Sequence, residues 1–217
     1  MARGRWWFGL TALAVAFGLV VQVAVAANVT TGFFDTPIER ALNVFAFFTI
    51  LSNLIVGITS LLLALDPERT STAFRVTRLT GVVGISITFV VFHAVLRKLF
   101  DLESWALVAD NTLHGVVPFL AVAGWLLYGP RGLTSRRVVW LSLVFPIAWT
   151  LFTLIRGELV GFYPYPFIDV GELGYGKVVV NCLWVAVLYV GVAGALHALD
   201  RWITRIDAAT RRPSPAA

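Results

Sequence analysis

Apolar stretches of membrane length alternate along this chain with short segments that hold nearly all of its charge. A helix rising about 1.5 Å per residue needs roughly 20 apolar residues to cross about 30 Å of hydrocarbon, so runs of that length bounded by charge, Pro or Gly predict spans. They fall at Trp6 to Ala27, Asn43 to Leu65, Leu79 to Leu99, Val108 to Tyr128, Val138 to Ile155 and Lys177 to Leu199. The expected fold is all-α, a polytopic membrane bundle of six transmembrane helices with both termini cytoplasmic. A single domain is expected over residues 1–205, followed by a disordered tail over 206–217 that ends in RRPSPAA. The first run follows Arg3 and Arg5 and closes on Ala24, Val25 and Ala26, a layout shared with signal peptides. Its length and the Trp6–Trp7 anchor favour a retained span.

Composition excludes a soluble domain. The 217 residues are 59% hydrophobic and 13% charged, with a mean hydropathy of +0.84, which leaves too little charge to cover a water-facing surface. The net charge of +5 comes from residues scattered through connections rather than gathered on one stripe, so nucleic acid is not an expected partner. Orientation accounts for those charges better. With the N-terminus inside, the inner segments hold 12 of the 17 basic residues, and Arg40, Arg97, Lys98, Arg156 and Lys177 fall outside. The positive-inside rule then places both termini in the cytoplasm. Arg outnumbers Lys by 15 to 2, the composition of a GC-rich genome and hence of a bacterial plasma membrane. Cys182 is the one cysteine, which excludes an intrachain disulfide and a cysteine-based metal site and suits a small apolar filler.

The candidate chemistry lies in polar residues set into the apolar runs. In FFTILSN, residues Phe47 to Asn53, the side chains of Thr49, Ser52 and Asn53 interrupt a greasy span, with Thr49 and Asn53 one turn apart on one face. Asp110, Asn111 and His114 form an i, i+1, i+4 set at the start of the fourth span, a spacing that lets a carboxylate or amide hold an imidazole tautomer. Pro118 lacks an N–H, so the His114 carbonyl loses its helical partner and the helix is expected to kink there. By rise per residue, Thr49, His93 and His114 reach similar depths in the outer leaflet, whereas His197 falls near the cytoplasmic end. Each residue also has an ordinary structural use. A membrane threonine commonly bonds the carbonyl four residues back, here Phe45, and Ser52 and Asn53 suit interhelical bonding. Residues alone give an outer-leaflet polar pocket and no reaction.

Four segments carry a resemblance. FFTILSN, NTLHGVVPFL from Asn111 to Leu120, GWLLYGPRG from Gly124 to Gly132, and YPYPFIDV from Tyr163 to Val170 resemble, in that order, the androgen-induced protein family. That family includes the androgen-dependent TFPI-regulating protein and a bacterial branch of predicted six-transmembrane proteins. The resemblance implies an intramembrane hydrolase of fatty acid esters of hydroxy fatty acids, with Thr49 matching the threonine nucleophile and His114 its histidine partner. It implies lipid partners and no cofactor. On this reading Ser52 or Asn53 supplies an oxyanion donor, Asp110 or Asn111 orients the imidazole, and His93, Pro118, Tyr163 and Tyr165 are candidates to line the pocket. Two other functions use the same residues: a metal hydrolase built on His93, His114 and Asp110, which lacks a dense ligand motif, and a lipid-binding or transport protein.

Overall fold

The computed structural model describes residues 2–30, 32–99 and 101–210. Among them there is no strand, and six helical segments are long and apolar enough to span a membrane: Ala2–Asn28, Phe48–Leu65, Thr72–Leu99, Ser104–Tyr128, Arg136–Val160 and Val170–Thr210. Helices suit these sequences because hydrocarbon offers no partner to a backbone N–H or C=O, and a helix pairs them within the segment. The chain is a multi-pass, all-α membrane protein. Its elements are α1 (Ala2–Asn28), α2 (Pro37–Asn43), α3 (Phe48–Leu65), α4 (Thr72–Val91), α5 (Ser104–Asn111), α6 (Val117–Tyr128), α7 (Arg136–Ser142), α8 (Val144–Val160) and α9 (Val170–Thr210). An even number of crossings returns both termini to one end of the bundle, the terminal end. The opposite, loop end carries α2 and the α8–α9 connection.

Two boundaries differ from expectation in ways that matter. The second span begins at Phe48 rather than Asn43. Thr36 and Glu39 form a capping box that starts α2, with Pro37 in its first turn, and a 3-10 turn over Val44–Ala46 follows. Phe47 then turns extended at φ −81 and ψ 134, which ends one helix and starts the next. The last helix, kinked at Gly174 (φ 72, ψ 156), continues to Thr210. The expected disordered tail is therefore helical over 206–210, where Ala208 and Ala209 favour propagation. Residues 211–217 lie outside those described.

Packing divides the bundle into a tight half and a loose half. Helices α1, α3, α4 and α6 share a core of Val15, Val56, Ile85, Val117 and Ala121. Small residues bring these helices close: a Cβ added at Gly57 would stand 2.8 Å from Val15 Cγ1, and one at Gly81 3.0 Å from Ile55 Cγ2. On the other side, α7 and α9 pack on α4 through Leu79, Val83, Ile87, Val138, Tyr189 and Ala193. Helix α8 scarcely touches α9. Its loop end is fastened by polar bonds, with Trp149 Nε1 donating to the Ala46 carbonyl at 2.9 Å and Arg156 Nη2 to Asn43 Oδ1 at 2.8 Å. The space left between α3, α4, α8 and α9 is a cavity.

Candidate active site

The break at Phe47 decides what Thr49 does. Thr49 is the second residue of α3, so its backbone N–H belongs to the first turn, where no carbonyl lies four residues back in the same helix. That N–H donates instead to the Tyr165 hydroxyl at 3.2 Å. The Thr49 side chain is likewise free of Phe45 and stands 3.2 Å from the same phenol and 3.3 Å from His114 Nε2. Position at a helix N-terminus adds the positive end of the α3 dipole to any negative charge that develops on Thr49 Oγ1.

His114 reaches Thr49 through a change of helical register. Residues Thr112–Val116 form a π turn between α5 and α6, in which the Val117 N–H donates to the Thr112 carbonyl rather than to Leu113. Pro118 follows at once and deprives the His114 carbonyl of its usual donor. The expected distortion is thus present as a π bulge, a feature frequent at functional sites. The Leu113 carbonyl freed by the bulge accepts from Asn53 Nδ2 at 3.2 Å, and the same amide donates to the Thr49 carbonyl at 2.9 Å. Asn53 therefore clamps α3 to the bulge with both N–H bonds, and neither remains for an oxyanion. A second π turn, Phe92–Leu96, places the Phe92 ring flat on the imidazole, with centroids 3.8 Å apart and planes at 12°.

Hydrogen-bond logic sets the tautomer. His114 Nδ1 lies 2.9 Å from Asp110 Oδ1, and an ionised carboxylate only accepts, so Nδ1 carries the proton. Nε2 then presents its lone pair to the Thr49 hydroxyl. Asp110 is itself nearly buried, with Arg97 Nη1 at 3.8 Å from its second oxygen. Tyr165 accepts from the Thr49 N–H, and its O–H is free to donate to Thr49 Oγ1. Burial pushes the Tyr165 phenol above its ordinary pKa, opposed in part by the bonds from Thr49, so it stays a proton donor at neutral pH. The result is a chain from Asp110 through His114 to Thr49, with Tyr165 on the far side of the hydroxyl.

Thr49 and Tyr165 also stand on the wall of the cavity, which has a volume of about 460 Å³. From this loop-end level the cavity runs toward the terminal end past Trp149, Val178 and Cys182 to Ile87, Val185 and Tyr189, and its wall is overwhelmingly apolar. Tyr175 to Val190 on α9 measures about 22 Å, more than the about 15 Å depth of a single leaflet. Ile147 and Leu151 on α8 and Val179 and Leu183 on α9 line it with exposed side chains, so it opens sideways between those two helices.

The other expected residues fall elsewhere. His93 is exposed, with Nδ1 on the Phe89 carbonyl at 2.9 Å and its ring against Phe89, and does not join His114 and Asp110. Among the described residues no three potential metal ligands cluster, so the ligand set for a metal hydrolase does not assemble. Asn111 bonds Arg97 Nη1 at 3.3 Å, not the imidazole, and Asp110 takes the orienting position. Ser52 is fully buried against Gly84 of α4, and its hydroxyl has no partner. Tyr163 packs over Gly157 of α8, and neither it nor Pro118 is on the cavity wall. Cys182, half-buried, is. Nothing in the sequence signals the stacking of Phe92, and for Arg97 the one hint is an arginine and an aspartate at the same end of neighbouring spans. No family model, curated protein or solved structure matches the chain.

Proposed function

We propose that this membrane protein hydrolyses lipid carboxylic esters, with Thr49 as nucleophile, His114 as general base and a long acyl chain held in the adjoining cavity. The observation that carries the proposal is the 3.3 Å contact between Thr49 Oγ1 and an Nε2 whose partner nitrogen is tied to Asp110, set at the end of an apolar cavity. The ester enters sideways between α8 and α9. Thr49 Oγ1 attacks the ester carbonyl while its proton passes to His114 Nε2, and Asp110 stabilises the imidazolium. Tyr165 O–H and the N-terminus of α3 stabilise the oxyanion, a donor there being worth about 3 kcal/mol. His114 returns the proton to the leaving alkoxide. Water, deprotonated by the same nitrogen, then releases the acid and restores Thr49.

The resemblance to the androgen-induced protein family supports the same two residues and extends the substrate class to fatty acid esters of hydroxy fatty acids. Cytoplasmic termini, from the charge bias, put the site in the outer leaflet of what the composition suggests is a bacterial plasma membrane. No cofactor is called for by this chemistry. Purified protein in detergent, assayed on aryl esters of graded acyl length, should turn over long chains, acylate at Thr49 and be labelled there by a fluorophosphonate. A protein that retains lipid through purification yet turns over no ester would instead be a lipid binder or transporter using this cavity.

A further inference from the structure

At the terminal end a second cavity of about 480 Å³ lies between the α6–α7 connection and the C-terminal part of α9, and most of the residues that border it are polar or basic. Arg136, Arg201 and Arg205 border it together with His197, Thr134 and Asp200. Asp200 does not neutralise the arginines by contact. Its buried carboxylate accepts from the Gly132 N–H at 2.9 Å, the Thr134 N–H at 3.1 Å and the Thr134 hydroxyl at 2.7 Å. Among the described residues the ion pairs are Arg69–Asp66, Arg97–Asp110 and His114–Asp110, so none of the three arginines has a carboxylate partner. Three arginines therefore border one cavity that contains one carboxylate, already committed to the loop.

Thr134 is likewise committed within this cluster. Its hydroxyl proton goes to Asp200, so Thr134 Oγ1 must accept from His197 Nδ1–H at 2.9 Å.

We infer that this cavity binds a phosphate group, presented by the headgroup of an anionic phospholipid in the leaflet at the terminal end. Guanidinium forks match phosphate oxygens two at a time, and basic pockets between membrane helices are the usual seat of such headgroups. The level in the bilayer fits a lipid. Trp202, beside Arg201, is 60% exposed and Trp140, one turn past Arg136, is 66% exposed, the placement of rings that mark the headgroup zone. The inference is independent of any ester chemistry at the loop end.

The test reconstitutes the full chain in nanodiscs of phosphatidylcholine, alone or with one-fifth phosphatidylglycerol, and counts retained lipid by native mass spectrometry. Wild type should keep a phosphatidylglycerol that the Arg136→Gln/Arg201→Gln/Arg205→Gln variant releases, with affinity falling on the order of fivefold per arginine. Arg69→Gln/Arg75→Gln, at the same end but off the cavity, should retain it. Equal retention by the wild type and the triple variant, equal loss in the control pair, or no preference for phosphatidylglycerol overturns the inference. Should the triple variant fail to fold, Arg201→Gln and Arg205→Gln singly carry the same comparison. Inorganic phosphate in lipid-free detergent separates the sources: a rise in unfolding temperature for wild type alone supports the phosphate group but reassigns its carrier to a soluble phosphate, and no rise supports the lipid.

Discussion

Two clusters of threonine, histidine and aspartate sit at opposite ends of this bundle, and their hydrogen bonds run in different orders. At the loop end the proton path is Thr49 to His114 to Asp110: the imidazole stands between alcohol and carboxylate, with its lone pair on the alcohol. At the terminal end Thr134 stands in the middle, donating to Asp200 and accepting from His197. Thr134 has no base to take its proton, because its acceptor is a carboxylate already holding two backbone N–H groups. Residue identity and proximity are the same in both places. What differs is which atom lies between the other two, and that decides whether a cluster suits nucleophilic chemistry or pins a loop.

The largest test of that contrast is paired substitution. Thr49→Ala or His114→Ala should drop ester turnover by at least 10² to 10⁴, the usual share of a base and more for a nucleophile, with unfolding temperature little changed. Thr134→Ala and His197→Ala should leave turnover within about twofold of wild type. Comparable losses at both ends would erase the distinction.

Asp110→Asn probes the middle position more finely. It keeps the shape beside Nδ1 but removes the charge that fixes the tautomer, and the corresponding change in a serine-protease triad costs about 10⁴. Here Asp110 is also within reach of Arg97, and the expected loss in kcat is on the order of 10² with KM retained. Arg97→Gln should cost less than that, since its 3.8 Å approach to the carboxylate is looser than the 2.9 Å bond from His114.

How much of this was legible in the sequence follows from what each signal encodes. Length and hydropathy placed six spans, because membrane thickness leaves little freedom. Depth by residue count brings Thr49, His93 and His114 to one level, yet His93 does not join the other two. Depth carries no azimuth: in the π turn that follows α4, Phe92 takes the inward face and His93 turns onto Phe89. Pro118 announced a distortion but not that it would be a π bulge, nor that Asn53 would close the carbonyl it frees. The break at Phe47 had no residue of its own to betray it. It arises from the capped α2 ahead of it and from Tyr165, more than a hundred positions away, receiving the Thr49 N–H.

Tyr165→Phe is the next test in size. The phenol holds the Thr49 backbone and donates toward the hydroxyl, so its loss should lower kcat about tenfold, below the full effect of an oxyanion donor, because the α3 N-terminus remains. A fall in stability without a fall in kcat would make Tyr165 a strut rather than a donor.

Thr134→Val gives the smallest effect and the sharpest check on the terminal end. Valine keeps the shape and removes the hydroxyl, so Asp200 loses one of three donors while the Gly132 and Thr134 N–H bonds persist. The site is only partly buried, and the expected cost is about 1 kcal/mol, read as a drop of a few degrees in unfolding temperature. Turnover should be unchanged, since Thr134 touches no reacting group. His197 would lose the acceptor that fixes its Nδ1–H, so the imidazole should show exchange between tautomers by nitrogen NMR. His114, held by Asp110, should not, and a His114 that exchanged while His197 stayed fixed would reverse the roles assigned to the two ends.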